Sequence, residues 1–290
     1  MRITQSMLSN NMLRNLTTSY NKMGKLQEQL NTGKKVNRPS DDPVVVMKGL
    51  GYRMQVDKVA QYQRNLGEVH NLLDSSDDAL DKVGSALHRA KELVTGAANG
   101  TMTPEDKEKT LSELNQLREH IQNLANSKVG DKYIFSGTKT STPLFDGKYP
   151  DPSTDSTELS PYEKDVEIEV FDGVSLKVNT NGLEVFKEID DLFASFSVDT
   201  DFSKAIGDID NRMDKVLTTR SEIGARQNRV EMMENRLSSQ EGSAKKLMSE
   251  NEDIDYEKVI TDMITQESIH RAALSVGARI IQPSLVDFLR

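Results

Sequence analysis

The fold is decided by residues 43–99, which read PVVVMKGLGYRMQVDKVAQYQRNLGEVHNLLDSSDDALDKVGSALHRAKELVTGAAN. Alternating steps of three and four residues meet sixteen positions in this stretch, and thirteen of them are apolar. The positions are Val45, Lys48, Tyr52, Gln55, Val59, Tyr62, Leu66, Val69, Leu73, Ser76, Leu80, Val83, Leu87, Ala90, Val94 and Ala97. A 3.5-residue repeat of this length predicts one continuous helix whose apolar stripe stays in contact with a partner helix. Such a helix would be roughly 85 Å long.

Local signals mark both ends of this helix. Ser40, Asp41 and Asp42 are residue types that cap helices, and Pro43 suits the first helical position. Asn99-Gly100 is a typical stop signal. A second helix is predicted after a short turn, with Thr103 as its cap, and the short turn predicts that the two helices are antiparallel. Its apolar positions are Leu111, Leu114, Leu117, Ile121 and Leu124.

The same repeat returns towards the other end of the chain. Nine of thirteen stepped positions between 206 and 248 are apolar. They are Ile206, Ile209, Met213, Val216, Ile223, Val230, Leu237, Ala244 and Met248, interrupted by Arg220, Gln227, Glu234 and Glu241. Matching apolar seams from both ends predict a mainly α fold, a long antiparallel bundle or coiled coil formed by the N- and C-terminal regions.

The middle of the chain breaks this pattern. Prolines at 143, 150, 152 and 161 interrupt any helix. Alternating apolar residues on both sides of Asp172-Gly173 predict a β-hairpin over 166–178, and Tyr133-Ile134-Phe135 predicts a further strand. A short helix is expected around 186–196.

Three domains are therefore expected. The terminal helices, 1–40 with 250–290, form one; the long helices, 41–129 with 186–249, form a rod; and 130–185 forms a small inserted β-rich domain.

The two ends of the chain carry opposite charge. Residues 1–40 contain seven basic residues and one acid, whereas residues 249–290 contain eight acids and four basic residues, so the net charges are +6 and −4. Each end also has an apolar seam, and complementary charge on paired helices sets partner and orientation. These seam positions are predicted as the assembly interface: Leu13, Leu16, Tyr20, Met23, Leu30, Tyr256, Ile260, Met263, Leu274, Ile281 and Phe288. Because both ends are poor in bulky apolar residues, we expect them to order mainly when packed against further copies.

Composition limits the classes of function. The net charge of −9 disfavours nucleic acid as a partner, because phosphates require a positive field. The longest apolar run, four residues from Val44 to Met47, is far too short to cross a membrane, and the N-terminal residues lack the apolar core of a secretory signal. There is no Cys, so no disulfide or thiolate metal site can form.

No pattern in the chain predicts catalysis, a metal or a cofactor. The four histidines are at least 18 residues apart, so no metal-binding pair on one helix exists. His270 falls on the C-terminal seam, where packing is the more economical interpretation than acid-base chemistry. The acidic run Asp74, Asp77, Asp78 and Asp81 lacks the Gly turn of a cation loop and is interpreted as the solvated side of the long helix.

Four stretches resemble the flagellin superfamily and, within it, the third type of hook-associated protein, which forms the junction between hook and filament. They are MRITQSMLSNNMLRNL (1–16), LNTGKKVNRPSDDP (30–43), YIFSGTKT with PLF (133–145) and DYEKVITDMITQESIHRAALSVGARIIQPSLVDFL (255–289). The last residues resemble flagellins generally, whereas the YIFSG element and the modest length resemble the junction type.

This resemblance implies a structural protein of the extracellular flagellum. Copies would form a ring between the hook-side junction protein and flagellin, with the terminal helices inside, the long helices outside them and the β-rich insert at the surface. Export would proceed without a cleaved signal peptide, through the flagellar type III apparatus, with an export chaperone on the C-terminal helices. Two alternatives stay open: a short flagellin of the filament itself, and a cytosolic coiled-coil scaffold.

Overall fold

A computed structural model describes residues 5–98, 102–150, 161–197 and 201–281. In chain order its elements are α1 (Gln5–Thr32), α2 (Pro43–Ala98), α3 (Pro104–Ala125), β1 (Lys128–Val129), β2 (Lys132–Tyr133), β3 (Glu167–Phe171), β4 (Val174–Lys177), α4 (Gly182–Ala194), α5 (Phe202–Glu252) and α6 (Tyr256–Ile281). The predicted mainly α fold with a small β region is confirmed.

Contacts divide the chain into two compact units. The first contains Met1–Lys58 and Glu241–Arg290, and the second contains Val59–Gln240. Helices α2 and α5 each supply residues to both units. The division into three domains stays a prediction.

The core of the second unit is the α2 stripe anticipated from the sequence. Every stepped position from Val59 to Ala97 is buried, and Leu66, Val69, Leu73 and Val83 are among those with no exposed surface. The first four positions of the stripe, from Val45 to Gln55, are partly or fully exposed. The helix ends at Ala98, and the predicted stop at Asn99-Gly100 lies outside the described residues.

Phe202, Ala205 and Glu252 are buried near the ends of helix α5, and between Ile209 and Ala244 the helix buries one residue per heptad. The heptad positions are Ile209, Val216, Ile223, Val230, Leu237 and Ala244, each seven residues after the last. Five of these pack in the core of the second unit, and Ala244 belongs to the first. A strict seven-residue spacing keeps one edge of a helix against its partner, as in coiled coils.

The polar interruptions of the α5 seam bind the acidic run of α2. Arg220 donates to Asp77 at 2.8 Å and to Asp81 at 2.6 Å, and Gln227 donates to Asp74 at 2.7 Å. The run stays largely solvated, as predicted, because Asp74, Asp78 and Asp81 are at least half exposed. Three of its four carboxylates nevertheless accept hydrogen bonds from α5. Spacing within α2 could not reveal the partners, because they are more than 130 residues away in the chain.

Helix α3 begins as predicted. The Thr103 hydroxyl accepts a hydrogen bond from the Asp106 backbone N–H, and Pro104 occupies the first turn. Leu114 and Ile121 are buried, and Arg89 of α2 forms an ion pair with Glu113 at 2.8 Å.

The β-hairpin is confirmed, with β3 and β4 antiparallel and Gly173 at φ 70° in the turn. A positive φ favours glycine, since it has no Cβ to clash. The predicted strand at Tyr133-Ile134-Phe135 is only partly present, because β2 ends at Tyr133. Ile134 and Phe135 instead pack into the core, and the Phe135 ring meets Phe186 of α4 edge-on, with centroids 4.9 Å apart.

Helix α4 begins at Gly182, one turn before the predicted start. A Cβ on Gly182 would lie 2.8 Å from Cβ of Phe135, so glycine permits this close approach. Asp190 ties α4 to α3, since it accepts bonds of 2.6 and 2.8 Å from the Arg118 guanidinium and one of 2.7 Å from Gln122.

Candidate assembly interface

The two ends of the chain pack against each other as an antiparallel helix pair, α1 with α6. Gln266 donates a 2.7 Å hydrogen bond to the buried hydroxyl of Ser19. Met12 lies over Gly277, where a Cβ would be 2.2 Å from the methionine methyl, so glycine lets the flexible Met12 side chain rest directly on the α6 backbone. The predicted pairing of head and tail is confirmed.

His270 faces Tyr20 across this pair, with ring centroids 6.3 Å apart. Its Nδ1 is buried without a hydrogen-bond partner. This placement agrees with a packed seam histidine.

Of the nine predicted interface residues whose side chains are described, five lie on the outside of the pair. Leu13 and Tyr20 are 54% and 65% exposed. In α6, Tyr256, Ile260 and Leu274 are also about half exposed. Leu16, Met23, Leu30 and Met263 are partly buried, the side chain of Ile281 is not described, and Phe288 lies outside the described residues. The line of contact within the chain runs through Ser19, Gln266 and Gly277, and the partly buried Leu16 and Met23 lie on the same side of α1 as Ser19.

Two loops are joined at the base of the pair. The loop between α1 and α2 and the loop between α5 and α6 form an antiparallel bridge at Lys34 and Asp253. The Lys35 backbone N–H donates to the Glu252 carbonyl at 2.7 Å, and the Ile254 N–H donates to the Gly33 carbonyl at 3.0 Å. We call the side chains and backbone that join these loops the clasp; they belong to residues 33–35, 49, 53 and 249–254.

Glu252 is the buried charge of the clasp, with 8% of its surface exposed. It accepts a 2.7 Å bond from Arg53 and lies 3.4 Å from the Lys34 ammonium, which also contacts Asp253 at 2.6 Å. A Cβ on Gly49 would be 2.3 Å from a Glu252 oxygen, so α2 leaves room for this carboxylate only by carrying glycine there.

The clasp shifts the acidity of its members. The hydrogen bond from Arg53, and then the Lys34 charge, lowers the pKa of Glu252 below its ordinary value of 4.5. The hydrogen bond from Lys34 lowers the pKa of Asp253, and the same bond raises the pKa of Lys34. Each shift favours the charged form, so the opposite charges of the two ends meet at this point.

The loop before α2 is an ordered cap. One Asp42 carboxylate oxygen accepts hydrogen bonds from the backbone N–H groups of Val44 and Val45, at 3.0 and 3.1 Å. Asp41 pairs with Lys25 of α1 at 3.2 Å. The loop that caps α2 through Asp42 is therefore also held to α1 through Asp41.

Sequence reasoning missed several exposed apolar residues of the first unit. Met47, Leu50 and Met54 of α2 are 74%, 53% and 67% exposed, and Ile264 of α6 is 56% exposed. The signal was available, because the three α2 residues follow steps of three and four on the side opposite Val45. The longer stripe that begins at Val45 was assigned to the core, and this shorter stripe was therefore not considered.

Among the described residues, no helix is long and apolar enough to cross a membrane. Within the same ranges, no three acidic or histidine side chains converge as a metal site would require.

Long helices with a buried heptad seam, together with a terminal pair that exposes apolar side chains, define a helical structural protein. The chain belongs to the bacterial flagellin family: residues 3–140 match its N-terminal helical region and residues 206–289 its C-terminal helical region.

Relatives of two kinds are similar over almost the whole chain. Flagellar hook-associated protein 3 of Escherichia coli is 25% identical over 300 aligned residues, which cover 94% of this chain and 95% of the relative. A flagellin of Halalkalibacterium halodurans is 25% identical over 280 residues, 97% of this chain and 96% of the relative.

A solved structure supports the same fold. A candidate flagellar hook-associated protein from Vibrio parahaemolyticus superposes with a TM-score of 0.64 at 26% identity, covering 73% of this chain and all of the other.

Proposed function

We propose that this chain is the structural protein that joins the hook side of a bacterial flagellum to its flagellin filament. The observation that carries this proposal is the terminal helix pair: α1 and α6 pack together through a narrow line and leave large apolar residues on the outside. Large apolar side chains that recur along an exposed helix face mark an interaction site. The similarity to hook-associated protein 3 over 94% of the chain supports the junction between hook and filament as the place of that interaction.

Four kinds of partner follow from this role. Further copies of the chain would form the ring, with the hook-side junction protein below and flagellin above. An export chaperone would cover the apolar face of α6 before assembly, because an exposed apolar helix is otherwise prone to aggregate. The protein would reach the flagellum through the type III export channel without a cleaved signal peptide.

The predicted assembly residues keep a role in this proposal. Leu13, Tyr20, Tyr256, Ile260 and Leu274 are exposed within one chain, so they are available to neighbouring subunits. The mechanism is coiled-coil packing between copies, in which each apolar side chain inserts between residues of a facing helix.

A flagellin of the filament is the second candidate, because the similarity to the Halalkalibacterium flagellin covers as much of the chain at the same identity. No observation specifically favours a cytosolic scaffold.

Deletion of the gene separates these functions. For a junction protein, we expect cells that keep a hook, lack a filament and release flagellin monomers into the medium. Electron microscopy of the cell surface and immunoblotting of the culture supernatant measure the two outcomes. Cells that keep a complete, capped junction and release no subunit would show that the chain is a filament flagellin. Full-length filaments in the mutant would reject both functions.

A further inference from the structure

The first turns of α2 carry an apolar stripe that the described residues leave largely exposed. Met47, Leu50 and Met54 follow each other at steps of three and four residues and are all more than half exposed. The other side of the same turns is occupied by the end of α5, which contacts the Val45 carbonyl and lies over Gly49. Since a helix turns every 3.6 residues, these two sets of residues are on opposite sides of α2.

Helix α6 carries a second exposed stripe. Tyr256, Ile260 and Ile264 recur every four residues, and Leu274 returns to the side of Tyr256 after 18 residues, about five turns. All four are between 44% and 56% exposed. Helix α6 packs on α1 near Gly277, and a Cβ on Gly33 would be 2.8 Å from the Tyr256 hydroxyl. Among the described residues, Ile260 and Ile264 are therefore the members of this stripe that lie farthest around α6 from its contact with the α1 side.

The two stripes lie on segments of opposite charge. Residues 43–58 contain three basic residues and one acid, a net charge of +2. Residues 255–267 contain four acids and one lysine, a net charge of −3. Opposite charges favour contact between the two stripes, whereas two copies of the same stripe would repel.

We propose that the α2 stripe of one copy receives the α6 stripe of a neighbouring copy. The inference deepens the proposed function and rests on it, because it names the surfaces through which copies of the chain meet. Methionine side chains are unbranched and adapt to the shape of a facing helix. Gly51 lies beside the stripe with open space around it, so a second helix can approach α2 closely there.

The two surfaces are different, which determines the kind of assembly. When one patch binds a different patch on the next copy, the contact is head-to-tail, and it continues until a ring or helical turn forms. A contact between identical patches would instead stop at a dimer.

Cross-linking in assembled flagella tests this contact. Because the chain has no Cys, single substitutions introduce the only thiols. Cells deleted for the gene would produce the Met47→Cys and Ile264→Cys variants together, and their flagella would be isolated and oxidised mildly. We expect a product at twice the 32.5 kDa chain mass, because a disulfide forms when two Cβ atoms are about 4 Å apart. Met54→Cys with Ile260→Cys is a second pair, for use if the Cβ atoms of the first pair are too far apart or poorly oriented to form a disulfide.

Three controls make the result decisive. Met232→Cys on α5 is equally exposed, and its pairing with Ile264→Cys should give several-fold less product. Each Cys variant alone should give none. A product from Met47→Cys alone, or no excess over the Met232→Cys control with either pair, would overturn the proposed contact. An antibody against the chain measures its presence: absence from the flagella would overturn the proposed function and this contact together, whereas presence without the product overturns the contact only.

Discussion

The two helix pairs of this chain use the same apolar spacing but bury it to different extents. Leu73 of α2 has no exposed surface in the core of the second unit, whereas Leu274 of α6 is 50% exposed. Buried apolar area stabilises a fold roughly in proportion to the area removed from water. Within the second unit, α2 and α5 bury their seam inside one chain, whereas α1 and α6 leave large apolar residues exposed, which suits the proposed packing against other subunits.

The largest expected loss of stability comes from a substitution in the buried seam between α2 and α5. Leu73→Ala should lower the free energy of unfolding by about 2–5 kcal/mol, because it removes buried methyl groups and leaves a cavity. Urea denaturation followed by circular dichroism measures it. Leu274→Ala is the matched control and should change the same quantity by less than about 0.5 kcal/mol. Equal losses for both variants would remove the difference between the two pairs.

The next largest loss of stability is expected from a substitution in the clasp. Glu252→Gln should cost about 1–3 kcal/mol, because it replaces the charged acceptor of Arg53 and Lys34. Faster hydrogen exchange of the Lys35 and Ile254 amides would report the loosened bridge. Glu250→Gln is the control, since that side chain is exposed. If both variants exchange alike, the clasp does not hold the two loops together.

The clasp should also loosen in acid. The pKa values of Glu252 and Asp253 are lowered on folding, from 4.5 and 3.8. Their stabilisation is therefore fully present above about pH 5 and is lost as the pH falls through the lowered values. We expect exchange at Lys35 and Ile254, corrected for the intrinsic rate, to rise below about pH 4. Glu252→Gln should show a smaller rise, and an equal one would assign the acid effect to other groups.

A smaller effect is expected from the polar layer between α2 and α5. Arg220→Ala should cost about 1 kcal/mol, because the ion pairs with Asp77 and Asp81 are partly exposed to water. A double-mutant cycle with Asp77→Ala measures the coupling through unfolding free energies. A coupling near zero would mean that the layer adds nothing to the stability of the pair of α2 and α5.

The smallest change in stability is expected in the pair of α1 and α6, which leaves apolar residues exposed. Leu274→Asp should shift the melting temperature of the isolated chain very little, because the side chain already meets water. Motility should nevertheless fail, since the same charge would be buried and unpaired between subunits. Soft-agar swimming and a thermal melt measure the two results, with Leu274→Met as the conservative control. A large drop in melting temperature would show that α6 is already packed at this position.

Periodicity predicted the helices well because a buried seam must repeat with the turn of the helix. The 3.5-residue repeat predicted the buried stripe from Val59 to Ala97, and a two-residue alternation predicted the hairpin around Gly173. The same reasoning failed at Phe135, which was expected in a strand but packs on α4 through the gap left by Gly182. An apolar residue in a short run does not reveal whether it is held by a strand or by a core.

The candidate site was only partly predictable. Opposite charges at the two ends indicated that they meet, but not that Lys34, Arg53 and Glu252 are the residues in contact. Those contacts join residues about 200 positions apart, and no local spacing encodes such distances.

By itself, the sequence determined which segments are helical and that head and tail pair, because heptad spacing and charge act along or between whole helices. Only the tertiary structure decided which side is covered in α1, in α6 and in the first turns of α2. The contacts that cover those sides, such as Glu252 over Gly49 and Met12 over Gly277, join residues about 200 or more positions apart, which spacing along one helix cannot encode.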